Sequence, residues 1–328
     1  MLFKIGCNMN VVSNMIHKEL RIKGFFIKKL FKFRKKRQFV NCNKLLRKFI
    51  QGRFPKSMCV EERYIYSDGQ ASLRILICSP KELKPNATGV LWLHGGGYAM
   101  GVPEQEMRYV KLITKNTNSV VILPDYTLSV DKPYPMALLD CYSTLKWVCS
   151  NSQELGINKN QIFVAGESAG GGLTTALTMY ARDKNEIKIA FQMPLYPMLD
   201  CRMQTHSMAN NNAPVWDAKA SELAWKLYLG KLWGADNIPF YASTALAVNY
   251  NNLPPTYTFV GNIDPFYDET VQYVQKLQHA NVNAKVDVYE GCFHAFDQFG
   301  SRKPIGKLAT QKWLQEFVYA TENYFSNY

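Results

Sequence analysis

QIFVAGESAGGGLTTALTMYAR, residues 161–182, places a short apolar strand, a turn and a helix one after another with nothing between them. Gln161–Ala165 has the composition of a buried strand, and Gly171–Arg182 reads as a helix. Between them lies Gly166-Glu167-Ser168-Ala169-Gly170, a G-x-S-x-G string. A strand that passes directly into a helix forces the central residue into strained backbone geometry and lifts its side chain above the sheet. Only small neighbours then avoid collision. Ser168 would stand at a helix N-terminus, where free N–H groups and the dipole favour a developing negative charge. The same string also reads as a glycine-rich helix start with a capping serine.

Outward from this stretch the chain alternates strands and helices. Towards the N-terminus, Val60–Tyr66 and Leu73–Cys78 read as a strand pair around Ser67-Asp68-Gly69. Gly89–Leu93 and Val120–Leu123 are short continuous apolar runs, as in strands buried on both faces. Met136–Val148 has helical spacing. Towards the C-terminus, Ile187–Pro194, Thr256–Val260 and Ala284–Tyr289 read as strands, and Glu269–Ala280 and Leu308–Phe325 as helices. This order predicts an α/β fold, with a mostly parallel sheet flanked by helices. Two stretches break the rhythm: residues 1–58 and Leu199 to about Gly234. Long insertions above the C-terminal edge of a parallel sheet commonly form lids. These two are expected to form one together, over a catalytic domain spanning 59–328.

His94-Gly95-Gly96-Gly97 follows the strand GVLWL directly. Consecutive glycines can turn backbone N–H groups inward with no Cβ in the way, which suits an oxyanion hole. A plain turn is the alternative. A dinucleotide loop is excluded by spacing, since Gly101 falls one place late for G-x-G-x-x-G, and a Walker loop by the lack of G-K-[ST].

A hydroxyl nucleophile needs a base. Of the five histidines, His17 lies in the basic N-terminal segment, His94 beside the glycines, His206 in the insertion and His279 on a helix. His294, in GCFHAF (291–296), follows the strand AKVDVY and so shares the sheet edge expected for Ser168. A structural histidine in an apolar loop is the competing reading. For the orienting acid, Asp264 follows the strand TYTFV, with Asp268 and Glu269 as alternatives and an N-cap as the structural alternative for Asp264. The order Ser…Asp…His is that of α/β-hydrolases.

HGGG (94–97), GESAGG (166–171), IDPFYDE (263–269) and GCFHAF (291–296) closely resemble the hormone-sensitive-lipase-like family of α/β-hydrolase esterases, over roughly residues 60–325. The family often has Tyr-Arg-Leu-Ala-Pro-Glu where this chain has Tyr126-Thr127-Leu128-Ser129-Val130-Asp131. The resemblance implies an α/β-hydrolase fold with a helical lid. It implies Ser168 as nucleophile, His294 as base and Asp264 as orienter. An oxyanion hole from Gly95, Gly96, Gly97 and Ala169 is implied too, with His94 supporting the loop. No metal and no cofactor are implied. The expected activity is hydrolysis of short- to medium-chain acyl esters. Amide or N-formyl hydrolysis by the same triad, and a non-catalytic ligand-binding protein on this fold, stand as alternatives.

The chain has 328 residues, 47% apolar, which excludes a disulfide-dense miniprotein and low-complexity disorder. Its net charge of +13 is unevenly spread. Residues 1–58 hold 16 Lys/Arg and one acid, Glu19, whereas the other 270 residues hold 23 basic and 25 acidic groups. The body is thus slightly acidic and shows no nucleic-acid motif, so nucleic acid is not an expected partner. Eight scattered cysteines without a C-x-x-C pair read as free thiols in a reducing, cytoplasmic setting. No apolar run reaches 18 residues, and no secretory signal is evident.

Within Ile16–Phe31, Ile16, Leu20, Ile27, Leu30 and Phe31 project onto one helical face and Lys18, Arg21, Lys28 and Lys32 onto the opposite one. The segment fits a lid helix with its apolar side on the active site. It also fits an interfacial helix, making residues 1–58 a candidate for peripheral contact with an anionic membrane.

Overall fold

The computed structural model describes residues 9–30 and 32–326. Eight strands form one sheet: β1 (Cys59–Ile65), β2 (Leu73–Ser79), β3 (Ala87–Leu93), β4 (Ser119–Pro124), β5 (Ile157–Glu167), β6 (Phe191–Leu195), β7 (Thr256–Gly261) and β8 (Ala284–Tyr289). Among the described residues nine α-helices accompany them: α1 (Arg21–Leu30), α2 (Lys36–Phe49), α3 (Met107–Asn116), α4 (Met136–Ser150), α5 (Ala169–Lys184), α6 (Ala218–Leu229), α7 (Tyr267–His279), α8 (Phe296–Phe299) and α9 (Pro304–Asn323).

The strand order is β1-β2-β4-β3-β5-β6-β7-β8. The hairpin β1–β2 and the β2–β4 pair are antiparallel, and every other pairing is parallel. Parallel strands need crossovers, so helices cover both faces and the strands between them are apolar throughout. All seven residues of β3 are buried. Their alternation sorts the core. Leu91 and Leu93 face one apolar layer with Val164, Leu173 and Trp225, and Val90 and Trp92 face another with Phe163, Tyr109 and Trp313. Because β3, β5, β7 and β8 run in parallel, their C-terminal ends share one edge. The glycine loop, Ser168, Asp264 and His294 follow those four ends.

Three expectations are corrected. The strand expected over Ile187–Pro194 begins at Phe191, because residues 187–190 run irregularly up to the sheet. The β6–β7 connection reaches from Tyr196 to Pro255, well past Gly234, and carries α6. In the N-terminal segment the helix begins only at Arg21, after a 3-10 turn at Ser13–Met15. Ile16, Leu20 and Ile27 are buried as expected, but Leu30 is 78% exposed. It lies on an outward stripe with Ile22, Phe25 and Phe26, the helical i, i+3, i+4, i+8 positions. Phe31 and residues 1–8 lie outside the described residues.

The described part of the N-terminal segment is tied to the body at several points. Val11 N donates to Asn212 Oδ1 (2.8 Å), and Arg34 pairs with Asp217, the N-cap of α6. On α2, Arg47 makes a two-pronged pair with Asp125 (3.0 and 3.1 Å). Asn43 bridges Ala99 O (3.1 Å) and Gly101 N (3.0 Å), beside the glycine loop.

Candidate active site

Ser168 sits where β5 becomes α5, at φ 57° and ψ −118°. That conformation is costly for a residue with a Cβ and is held by its neighbours. Its N–H donates to Leu195 O (2.9 Å) and its C=O accepts from Met198 N (3.0 Å). Close packing explains the surrounding glycines: a Cβ on Gly170 would lie 2.0 Å from Leu93 O. The strand-to-helix context of GESAG therefore dictates the turn.

Ser168 Oγ lies 2.8 Å from His294 Nε2, and His294 Nδ1 lies 2.8 Å from Asp264 Oδ2. All three are buried. The other Asp264 oxygen accepts Phe266 N–H at 2.9 Å, which fixes the carboxylate plane. The His294 ring is boxed edge-on by Tyr196 and Phe266, each 5.1 Å away. The competing acids stand elsewhere. Asp268 accepts Ser207 N–H (2.7 Å) and Glu269 accepts Leu199 N–H (2.7 Å), so both anchor the β6–β7 connection. His206 and His279 are exposed.

His94 is buried against Tyr126, with ring centroids 4.1 Å apart, and its Nδ1 lies 2.8 Å from Gly95 O. Burial pushes its imidazole down to about 4. His94 is thus a neutral packing element of the loop.

One candidate is corrected. The Gly95 amide donates to Glu167 Oε1 at 2.9 Å, so it is not free to face an oxyanion. The Gly96, Gly97 and Ala169 amides have no protein hydrogen-bond partner among the described residues. Gly96 adopts φ +116°, and a Cβ there would lie 2.0 Å from Met100 O.

A cavity of about 250 Å³ opens on Ser168 and His294. Gly96, Gln105 and Glu167 line it from the body of the fold, Trp216 and Val215 from the β6–β7 connection, and Phe33, Cys42 and Leu46 from the N-terminal segment. Phe33 stacks on Phe39 at 4.7 Å and leans on Trp216 at 5.8 Å, so the two segments meet over the site. Trp225, by contrast, is fully buried against Tyr98 and Tyr228 and does not line the cavity.

Sequence reading missed Glu167, Glu106, Gln105 and Phe33. Glu167 stood inside the GESAG string, but the pattern leaves that position open, and nothing local marks Glu106 or Gln105 as its neighbours. Burial pushes the Glu167 carboxyl well up and that of Glu106 up to about 7, with the nearby Asp297 adding to both. Among the described residues no cluster of His, Cys, Asp and Glu could hold a metal ion.

Residues 90–298 match the family model described as alpha/beta hydrolase fold, and the chain belongs to that family. The four motifs, between 94 and 296, all lie inside the matched span. Esterase LipI of Mycobacterium tuberculosis is 30% identical over 69% of this chain and 70% of its own length. An arylesterase of Saccharolobus solfataricus is 30% identical over 68% of this chain and 72% of its own. Among solved structures, a bacterial heroin esterase superposes with a TM-score of 0.86 at 26% identity, covering 95% of this chain and 99% of that one. The hyperthermophilic esterase of the archaeon Pyrobaculum calidifontis gives 0.78 at 25% identity, covering 93% and 98%.

Proposed function

We propose that the protein is a serine carboxylesterase that hydrolyses short- to medium-chain acyl esters through an acyl-enzyme on Ser168. The observation that carries this reading is the hydrogen-bonded run Ser168–His294–Asp264, 2.8 Å at each step, beside the unpartnered amides of Gly96, Gly97 and Ala169. His294 Nε2 takes the Ser168 proton as Oγ attacks the ester carbonyl. Asp264 holds the imidazole with its proton on Nδ1 and stabilises the imidazolium. The three amides receive the oxyanion. The tetrahedral intermediate expels the alcohol, which takes the proton from His294. Water then attacks the acyl-Ser168 with His294 again as base, and the acid leaves as Ser168 regains its proton. The relatives named above, an esterase and an arylesterase, favour ester over amide hydrolysis.

Phe33, α2 and the β6–β7 connection act as a two-part lid, since each supplies a wall of the cavity. A volume near 250 Å³ is small for a ligand site and suits acyl chains of about eight carbons or fewer. The outward apolar stripe of α1, set among the lysines of a strongly basic segment, supports peripheral contact with an anionic membrane. No described helix is long and apolar enough to cross one. The test is labelling with a fluorophosphonate and hydrolysis of p-nitrophenyl esters of graded length. Label on Ser168 alone, and no hydrolysis by a folded Ser168→Ala, are expected. Undiminished activity in that variant would remove the assignment.

A further inference from the structure

Glu106 and Glu167 take no part in the steps above, yet both are buried. Their carboxyls are neighbours, each acting on the other's ionisation. No described basic side chain pairs with either; Arg108 reaches only towards Asp297, at 3.8 Å. The remaining bonds flank one residue, Gly95, on its N–H and C=O sides. Gly95 N–H donates to Glu167 Oε1 (2.9 Å), and Gly95 C=O accepts from Gln105 Nε2 (3.3 Å). The same Gln105 amide donates to Glu106 Oε1 (3.1 Å), while Gln105 Oε1 accepts from Val102 N (3.3 Å). Trp92 Nε1 fixes the other Glu106 oxygen at 2.8 Å. Two ionised carboxylates offer acceptors only, so a direct Glu106–Glu167 hydrogen bond requires a proton. Neighbouring buried carboxyls oppose each other's ionisation.

We propose that Glu106 and Glu167 share one proton and act together as positioning residues, clamping Gly95 so that the Gly96 and Gly97 amides face the oxyanion. The proposal rests on the hydrolase reading above. Glu167 is covalently next to Ser168, so the clamp joins the nucleophile turn to the glycine loop through side chains that do not touch the reacting atoms. Other titratable groups surround the pair: Asp297 of α8 with Arg108 beside it, and the phenols of Tyr109, Tyr126 and Tyr196; His294 lines the same cavity as Glu167, and His94 Nδ1 lies against Gly95 O. Asp297 is the nearby anion and opposes a second charge on the pair, and burial holds the Glu106 carboxyl up to about 7. Loss of the shared proton at alkaline pH leaves two neighbouring anions, opens the clamp and releases the loop. The effect falls on kcat and not on KM, because the loop stabilises charge that exists only in the transition state.

The experiment is the pH profile of kcat and KM on a p-nitrophenyl ester for the full chain and two variants. Glu106→Gln supplies a fixed N–H in place of the shared proton. It is expected to keep near wild-type kcat at neutral pH and to lose the alkaline fall. Glu106→Leu breaks the clamp and is expected to lower kcat about 10- to 100-fold with KM little changed. If Glu106→Leu does not fold, the isosteric Gln variant still decides the matter. An alkaline limb that is absent from the wild type or unmoved in Glu106→Gln overturns the proposal, as does Gln proving no better than a folded Leu variant. A wild type without hydrolysis would instead defeat the esterase reading itself.

Discussion

Asp264 and Asp268 are four residues apart and chemically identical, and only their partners separate them. Asp264 bonds His294, whereas Asp268 anchors Ser207. Asp264→Asn is expected to favour the wrong imidazole tautomer and lower kcat by as much as about 10⁴-fold, with Asp268→Asn losing far less. Steady-state kinetics on both variants checks the ordering. His94 gives a second expectation at this scale. Its folded value near 4 lies below the ordinary histidine value of 6.5. The unfolded chain therefore binds more protons between the two. The stability that His94 contributes is fully present above pH 6.5 and is lost as the pH falls towards 4, by about 3 kcal/mol at most. Denaturant titrations of wild type and His94→Asn at pH 7.5, 5.5 and 4.5 should show the difference between them shrinking with acidity.

The N-terminal segment joins the sheet through a charged cluster. Arg74 of β2, 7% exposed in its side chain, bonds Glu62, Glu104 and Asp125, and α2 reaches the same Asp125 through Arg47. Removing Arg74 leaves Glu104 and Asp125 buried without their main counter-charge. Arg74→Met should destabilise by about 3–5 kcal/mol. Arg47 is 42% exposed, so water screens its pair, and Arg47→Met should cost less than about 1 kcal/mol. Equilibrium unfolding in urea separates the two. A similar cost for both would mean that the cluster is wetter than its burial indicates.

For the whole molecule, the question is what the basic segment does. Its inward residues, Phe33, Phe39 and Cys42, belong to the cavity wall or its support, and its outward residues, Ile22, Phe25, Phe26 and Leu30, face water. Deleting residues 1–42 should therefore change the acyl-length profile and lower solubility with no lipid present. Binding of the full chain to anionic vesicles should weaken as salt is raised, since the Debye length is only about 8 Å at physiological ionic strength. Packing of Ile16, Leu20 and Ile27 should not respond to salt. A truncated protein with an unchanged acyl profile would show that the segment is no part of the lid.

Local sequence determined the sheet, the nucleophile turn and the positions of the loops that carry Asp264 and His294. Continuous apolar runs have no stable place except between helix layers, and GESAG between a strand and a helix admits only one kind of turn. Ser168, Asp264 and His294 were legible because they stand one, three and five residues past the ends of β5, β7 and β8, and parallel strands end at one edge. What the tertiary structure decided lay in contacts between residues far apart in the chain. It gave the Gly95 amide to Glu167, buried Trp225 away from the cavity, put Phe33 into the cavity wall, and split α1 into one buried and one exposed stripe. None of these follows from periodicity. A helix with two apolar stripes does not reveal which one is buried, and a glycine amide is free or occupied according to a side chain that arrives from another strand.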